Sequence, residues 1–158
     1  MVMARYWGGR VLTLGGALLA IVAFFCPWFD VYKLNDPSYV FPRRGYSPWM
    51  VIQSGRLDAT GVAVWLFALL VAGMMVACVA LAVAHTPRGR AWGAYPAFTL
   101  AVACLVIVGL AMGGVPLALS FDWPFLSSDI VYGAYLALAG LLCVIVGVSL
   151  DSAIRPAA

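Results

Sequence analysis

Residues 11–34 read VLTLGGALLAIVAFFCPWFDVYKL. From Val11 to Phe29 no side chain is charged, and then Asp30 and Lys33 arrive within the next four residues. A hydrocarbon core about 30 Å thick takes about 20 helical residues, so the first part has the length of one crossing. Backbone amides in lipid have to bond within their own segment, which makes helix the form of that crossing. The exit holds Pro27, which lacks an N–H and ends regular helix, then Trp28, whose amphipathic ring suits headgroup depth, then Asp30 in water. Arg5 and Arg10 ahead of the run give it the charge order of a signal peptide. A cleavage site needs small residues where Phe24 and Phe25 stand, so the helix is expected to be retained.

The pattern recurs outward from this stretch. Residues 61–84, 93–119 and 130–150 are equally apolar and equally free of charge. Together with residues 11–29 they make four crossings in a single membrane domain spanning 1–158. An outer loop occupies 30–60, a cytoplasmic loop 85–92, a second outer loop 120–129 and a cytoplasmic tail 151–158. The expected fold class is an all-α integral membrane four-transmembrane-helix bundle, with a small β element or a short interfacial helix in the first outer loop. Composition agrees: 65% of the 158 residues are hydrophobic and 9% charged, against about 25% charged in globular chains.

The charges sort by side. Arg5, Arg10, Arg88, Arg90 and Arg155 face one way with Asp151, while Lys33, Arg43, Arg44 and Arg56 face the other with Asp30, Asp36, Asp58, Asp122 and Asp129. Basic residues in short loops stay cytoplasmic, so both termini are read as cytoplasmic, in a bacterial cytoplasmic membrane. Trp7 and Trp92 then fall at the cytoplasmic ends of spans, and Trp28, Trp65 and Trp123 at the outer ends, as a pair of aromatic belts. Nucleic acid is excluded as a partner, because the +3 net charge is divided between the sides and forms no basic patch.

Helices in lipid associate through close packing, which small residues permit. Gly133, Ala137, Gly140, Val144 and Gly147 recur at spacings of four and three and read as a seam in the fourth span. Gly109 with Gly113, and Gly16 with Ala20, read as further bundle packing in preference to the alternative of a dimer face. Pro116 is expected to kink or unwind the outer end of the third span.

In the first outer loop, VYKL and SYVF are β-prone pieces separated by the turn signal NDP. Ser47 is placed to N-cap a short helix, with Pro48 at its first position and Gly55 just past its end. Arg43, Arg44, Tyr46 and Trp49 form a basic and aromatic cluster. It suits anchoring to anionic headgroups or docking of a partner protein.

The materials of catalysis are scarce. There is no Glu, and a single His excludes bis-histidine haem. No cofactor is expected, and His85 is the one candidate cofactor ligand, for a (bacterio)chlorophyll magnesium. Cys26, Cys78, Cys104 and Cys143 fall one in each span without a CxxC, and no loop disulfide is expected. Thr13, Thr99 and Ser149 can bond back to their own helices. The spans as drawn hold no ionisable residue for a charged substrate or proton to use.

The exit motif Cys26, Pro27 and Trp28 resembles that of small bacterial four-span proteins. The order of a long first outer loop, a short cytoplasmic turn and a short second outer loop is similar to that of claudin-type tetraspans. In that likeness Trp49 stands for the loop tryptophan, while the paired loop cysteines have no counterpart. The resemblance implies a scaffold that touches neighbours within the membrane. The expected function is accordingly a non-catalytic accessory, structural or assembly subunit of a larger membrane complex, of respiratory or photosynthetic kind. Its partners would be membrane lipids and other integral membrane subunits. The alternative is a small transporter or binder of a neutral lipid, quinone or other apolar ligand, working near Pro116, Trp49 and Phe121.

Overall fold

Every long apolar run becomes a helix in the computed structural model, which describes residues 2–33, 44–55, 59–84, 87–122 and 126–153. The helices are α1 (Val2–Phe25), the short α2 (Pro48–Gln53), α3 (Ala59–Val83), α4 (Pro87–Asp122) and α5 (Tyr132–Ala153). Four of them are long and apolar enough to cross a membrane, over Trp7–Phe25, Gly61–Val83, Trp92–Gly114 and Tyr132–Asp151. The chain is therefore a multi-pass membrane protein with an all-α four-helix bundle. Its first crossing lies four residues earlier than the charge-free run suggests, because Phe29 already belongs to a strand. Arg10 lies in the early part of the first of these helices and Asp151 at the last residue of the fourth.

The bundle is a ring in which α1 packs on α5, α5 on α4, α4 on α3 and α3 back on α1. The α1–α5 seam is the closest. A methyl placed on Gly16 would lie 2.5 Å from the Gly140 carbonyl oxygen, and one on Gly140 would lie 2.7 Å from the Gly16 carbonyl oxygen. Such reciprocal approach leaves room only for hydrogen on either Cα, the arrangement in which Cα–H groups face carbonyls across a helix pair. Gly147 meets Gly9 and Thr13 in the same way one end along, and Gly133 meets Pro27 and Trp28 at the other. Of the stripe, Gly140, Val144 and Gly147 face α1, Gly133 faces its exit at Pro27 and Trp28, and Ala137 is fully buried. Between α3 and α4 the close point is Gly93, where a methyl would lie 2.6 Å from the Leu81 backbone nitrogen.

Two expected packing features turn out differently. A methyl on Gly109 or Gly113 meets nothing within 4 Å, so this GxxxG looks away from the bundle. Of the kink or unwinding expected at Pro116, the unwinding does not occur, for α4 continues to Asp122. A proline deletes one backbone bond, here the one to Met112, and membrane helices tolerate it where neighbouring groups satisfy the freed carbonyl. Three hydroxyls inside the spans close on their own helices: Thr13 Oγ1 donates to Gly9 O at 2.9 Å, Thr99 Oγ1 to Tyr95 O at 2.9 Å and Ser149 Oγ to Ile145 O at 2.8 Å.

Outside the bundle lies a three-stranded antiparallel sheet in the order β2-β1-β3, made of β1 (Phe29–Lys33), β2 (Arg44–Tyr46) and β3 (Leu126–Ile130). Phe29 is the shared register point, opposite Tyr46 on one side and Ile130 on the other. The VYKL expectation overlaps β1, whereas SYVF lies outside the described residues. The third strand comes from the segment expected to be a plain second loop. One sheet therefore ties both interhelical connections at this end together.

The seam generates a test. Overpacking a well-packed contact costs about 1–3 kcal/mol. Gly16→Ala and Gly140→Ala are each expected to lower unfolding stability in detergent micelles by that amount, whereas Gly109→Ala should change it by less than about 0.5 kcal/mol. Circular dichroism during chemical unfolding measures both.

Candidate functional site

The site is the head at the sheet end of the bundle, and it is built on the last turn of α1. Pro27 has no N–H to give the Ala23 carbonyl, which in lipid has no water to turn to. Two other donors supply that oxygen. Cys26 N–H reaches it at 3.1 Å in a tightened turn, and the Trp28 indole Nε1–H reaches it at 2.8 Å. Trp28 is consequently 4% exposed, which corrects its expected role as a headgroup anchor. Its ring lies edge-on to Phe67 with centroids 5.4 Å apart, between α1 and α3.

The backbone of the same two residues gathers the rest of the head. Trp28 N–H donates to Tyr46 O at 2.8 Å, and Trp28 O accepts from Val131 N–H at 2.8 Å. Pro27 O accepts from Gly133 N–H at 3.0 Å, satisfying one of the amides that the first turn of α5 leaves without a helical partner. Gly45 packs on the Pro27 ring, since a methyl there would lie 2.7 Å from Pro27 Cβ. β2, the start of α5 and the end of α1 are thus pinned at one point.

Beyond β2, Ser47 Oγ accepts from Met50 N–H at 3.2 Å and caps α2, with Pro48 in the first turn and Gly55 at φ +63° past the end. This is the cap pattern expected of SPWMVIQSG. Ser47 and Pro48 are buried, and Ile52 packs against the core, so α2 is held by one side. Trp49 and Met50 lie on the other, 40% and 52% exposed. A line of rings joins the buried pin to this surface: Trp28 meets Phe67, Phe67 stacks on Phe24 at 6.1 Å, Phe24 meets Phe25 edge-on at 5.7 Å, and Phe25 meets Trp49 at 5.4 Å. Aromatic pairs at these separations add about 0.5–1.5 kcal/mol each beyond area burial, so α2 is rigidly tied to the bundle.

The other predicted site residues are placed as follows. Tyr46 is exposed at the end of β2. Arg44 is in β2 opposite Val31, while Arg43 and His85 lie outside the described residues, as does Trp123. Gly133, Gly140 and Gly147 are buried against α1 or its exit and Ala137 is fully buried, so their contacts are made within the chain. Trp7, Trp65 and Trp92 are exposed at the span ends. Cys78 and Cys104 are buried, Cys26 and Cys143 partly so, and all four are free thiols. Among the described residues no three His, Cys, Asp or Glu side chains converge as metal ligands.

The opposite end carries two groups that sequence reasoning treated as loop charges. Arg10, 8% exposed, donates from Nη1 to Ala82 O at 2.7 Å and from Nη2 to Ala84 O at 2.9 Å. Its guanidinium thereby caps the carbonyl end of α3, where the helix dipole favours a cation. Asp151, also 8% exposed, sits on the last turn of α5 beside Gly9, and its buried Oδ1 has no hydrogen-bond partner among the described residues. The available signal was spacing, since Arg10 falls only one residue before the uninterrupted apolar run.

Comparison with known proteins returns nothing: no family model matches the chain, and no curated protein or solved structure does so either.

Two variants test the geometry at the two ends. Trp28→Phe keeps a ring against Phe67 and removes the indole donor, and loss of a buried hydrogen bond predicts a decrease of about 1–3 kcal/mol in unfolding stability. Arg10→Ala is expected to cost about 1.5–3 kcal/mol through the two charge-assisted bonds, with Arg10→Lys recovering part of it. Chemical unfolding in micelles reads both.

Proposed function

We propose that the chain is a non-catalytic accessory or scaffold subunit of a larger membrane complex, which it meets through the sheet and the exposed Tyr46. The observation that carries this reading is the pinned head. Three strands drawn from both connections are locked by the backbone of Pro27 and Trp28 to two helices, giving a fixed exterior surface. A rigid surface binds without the entropic cost of ordering loops, so preorganisation of this kind serves recognition. The interior supports the same reading. Among the described residues its largest fully buried side chains, Met74, Leu81, Leu141, Val108, Val144, Thr13, Cys78 and Cys104, include one hydroxyl, Thr13, which bonds back to its own helix. A polar substrate would need aligned polar groups through the membrane.

The proposal includes an orientation. Higher arginine density on the side of the termini supports a cytoplasmic position for both, in a bacterial cytoplasmic membrane, with the head outside. An alkaline phosphatase fused to the C-terminus is expected to be inactive, and active if inserted after Gly55.

The partner is tested by mild solubilisation of native membranes and affinity capture of the tagged chain. A stoichiometric integral membrane protein is expected to co-purify. Tyr46→Ala should release it while leaving the unfolding midpoint within error, because the bond that Tyr46 gives the pin is made by its backbone carbonyl, which the substitution keeps. Recovery of a monodisperse, partner-free chain from gently solubilised membranes would overturn the subunit reading.

A further inference from the structure

The short helix α2 addresses a different surface. Along α1 the exposed side chains Val11, Leu18, Val22 and Phe25 recur at spacings of seven, four and three, so they form one outward stripe. In a membrane-spanning helix that stripe faces acyl chains. It does not stop where α1 stops. The Phe25 ring lies 5.4 Å from the Trp49 indole, tilted by 52°, and Met50 follows Trp49 into the open. On the neighbouring helix Val62, Trp65 and Leu66 are exposed at the same end of the bundle, and α2 packs on both α1 and α3.

We propose that α2 is an interfacial helix, with Trp49 and Met50 inserted at the boundary between headgroups and acyl chains of the adjoining leaflet. Continuity with the lipid-facing surface of α1 identifies the occupant as lipid. An apolar surface that begins in the hydrocarbon and passes without a polar break onto Trp49 and Met50 would, if it met water instead, be an exposed patch prone to aggregation. The chemistry of the residues fits the depth. Indole combines a large apolar face with one N–H donor and settles at the headgroup level, while Ser47 and Pro48 are buried on the protein side and Gln53 and Ser54 are polar. Two consequences follow. The head is held at a set height above the bilayer, and the end of α1 is clamped in depth by a helix lying across it. This assignment stands whether or not a partner occupies the sheet.

The test uses the full-length chain in phosphatidylcholine vesicles whose lipids are brominated either near the headgroup or near the chain end. Subtracting the tryptophan emission of Trp49→Phe from that of the wild type isolates Trp49, and the conservative exchange keeps a ring on Phe25. Trp49 emission is expected to be quenched by the shallow bromines and protected from aqueous iodide. Iodide quenching without bromine quenching would overturn the proposal. A second reading comes from a photoreactive phenylalanine analogue at position 50 in native membranes. Lipid adducts are expected as the main product; adducts chiefly to another polypeptide, or to a second copy of this chain, would overturn the assignment to lipid.

Discussion

The structure depends on how a helix that ends at a proline satisfies its last carbonyls inside a membrane. Pro27 withholds the N–H that Ala23 O would have received, and hydrocarbon offers no water in exchange. Trp28 answers with its indole N–H, which draws a residue suited to the headgroup layer inward onto Phe67. Once the ring is inside, the Trp28 backbone sits where Tyr46 and Val131 can bond it. The sheet, the start of α5 and the placement of α2 follow from that single substitution of donors. An isolated strand of five residues in a loop would gain little by itself. Anchored through Pro27 and Trp28, β1 becomes the central strand of a sheet that joins both loops.

The α1–α5 contact complements this pin at its other end. Lipid competes on equal terms with leucine, so the two helices gain by approaching closer than lipid can, and glycine on both sides permits it. Gly9 meeting Gly147, and Gly16 and Ala20 meeting Gly140, keep α5 in register with α1, and register decides whether Gly133 N–H arrives opposite Pro27 O. Seam and exit therefore support one another. A shift of one residue along the seam would move the α5 amides away from the exit carbonyls.

The parts legible in the sequence are those set by local rules. The four crossings are visible because a charge-free apolar run of about 20 residues matches the thickness of a bilayer and exceeds what a soluble core helix buries. The α2 cap is visible because Ser47, Pro48 and Gly55 each satisfy a specific backbone need. The glycine stripe of α5 could be read as a seam, though its partner, α1, is far away in the chain. What could not be read depends on contacts at long range. Nothing in LSSDI distinguishes a third strand from a polar loop until β1 lies beside it. Nothing near Trp28 separates a ring in the headgroups from a ring bonded to Ala23 O, since both begin with the same residue after the same proline. Arg10 reads as a flanking positive charge until α3 brings its carbonyl end within reach. Gly109 and Gly113 match the packing pattern in every local respect, and only the ring order of the helices turns them outward.

α1 is thus the member through which the others are placed. Its guanidinium at Arg10 holds the last carbonyls of α3, its glycines receive α5, and its exit carries the sheet. The asymmetry between its two ends has a physical reason. At the end near the termini, a long cationic side chain can reach backbone carbonyls of a neighbouring helix while its charge stays within range of the interface. At the sheet end the group to be satisfied is a carbonyl made orphan by proline, and a neutral N–H on a flat aromatic ring meets that need without bringing a charge into the apolar contact with Phe67. A lysine or arginine at position 28 could also donate to Ala23 O, but it would leave surplus donors in that aromatic pocket, where each unmet donor carries its own desolvation cost. Tryptophan supplies one donor for one acceptor and fills the remaining space with ring.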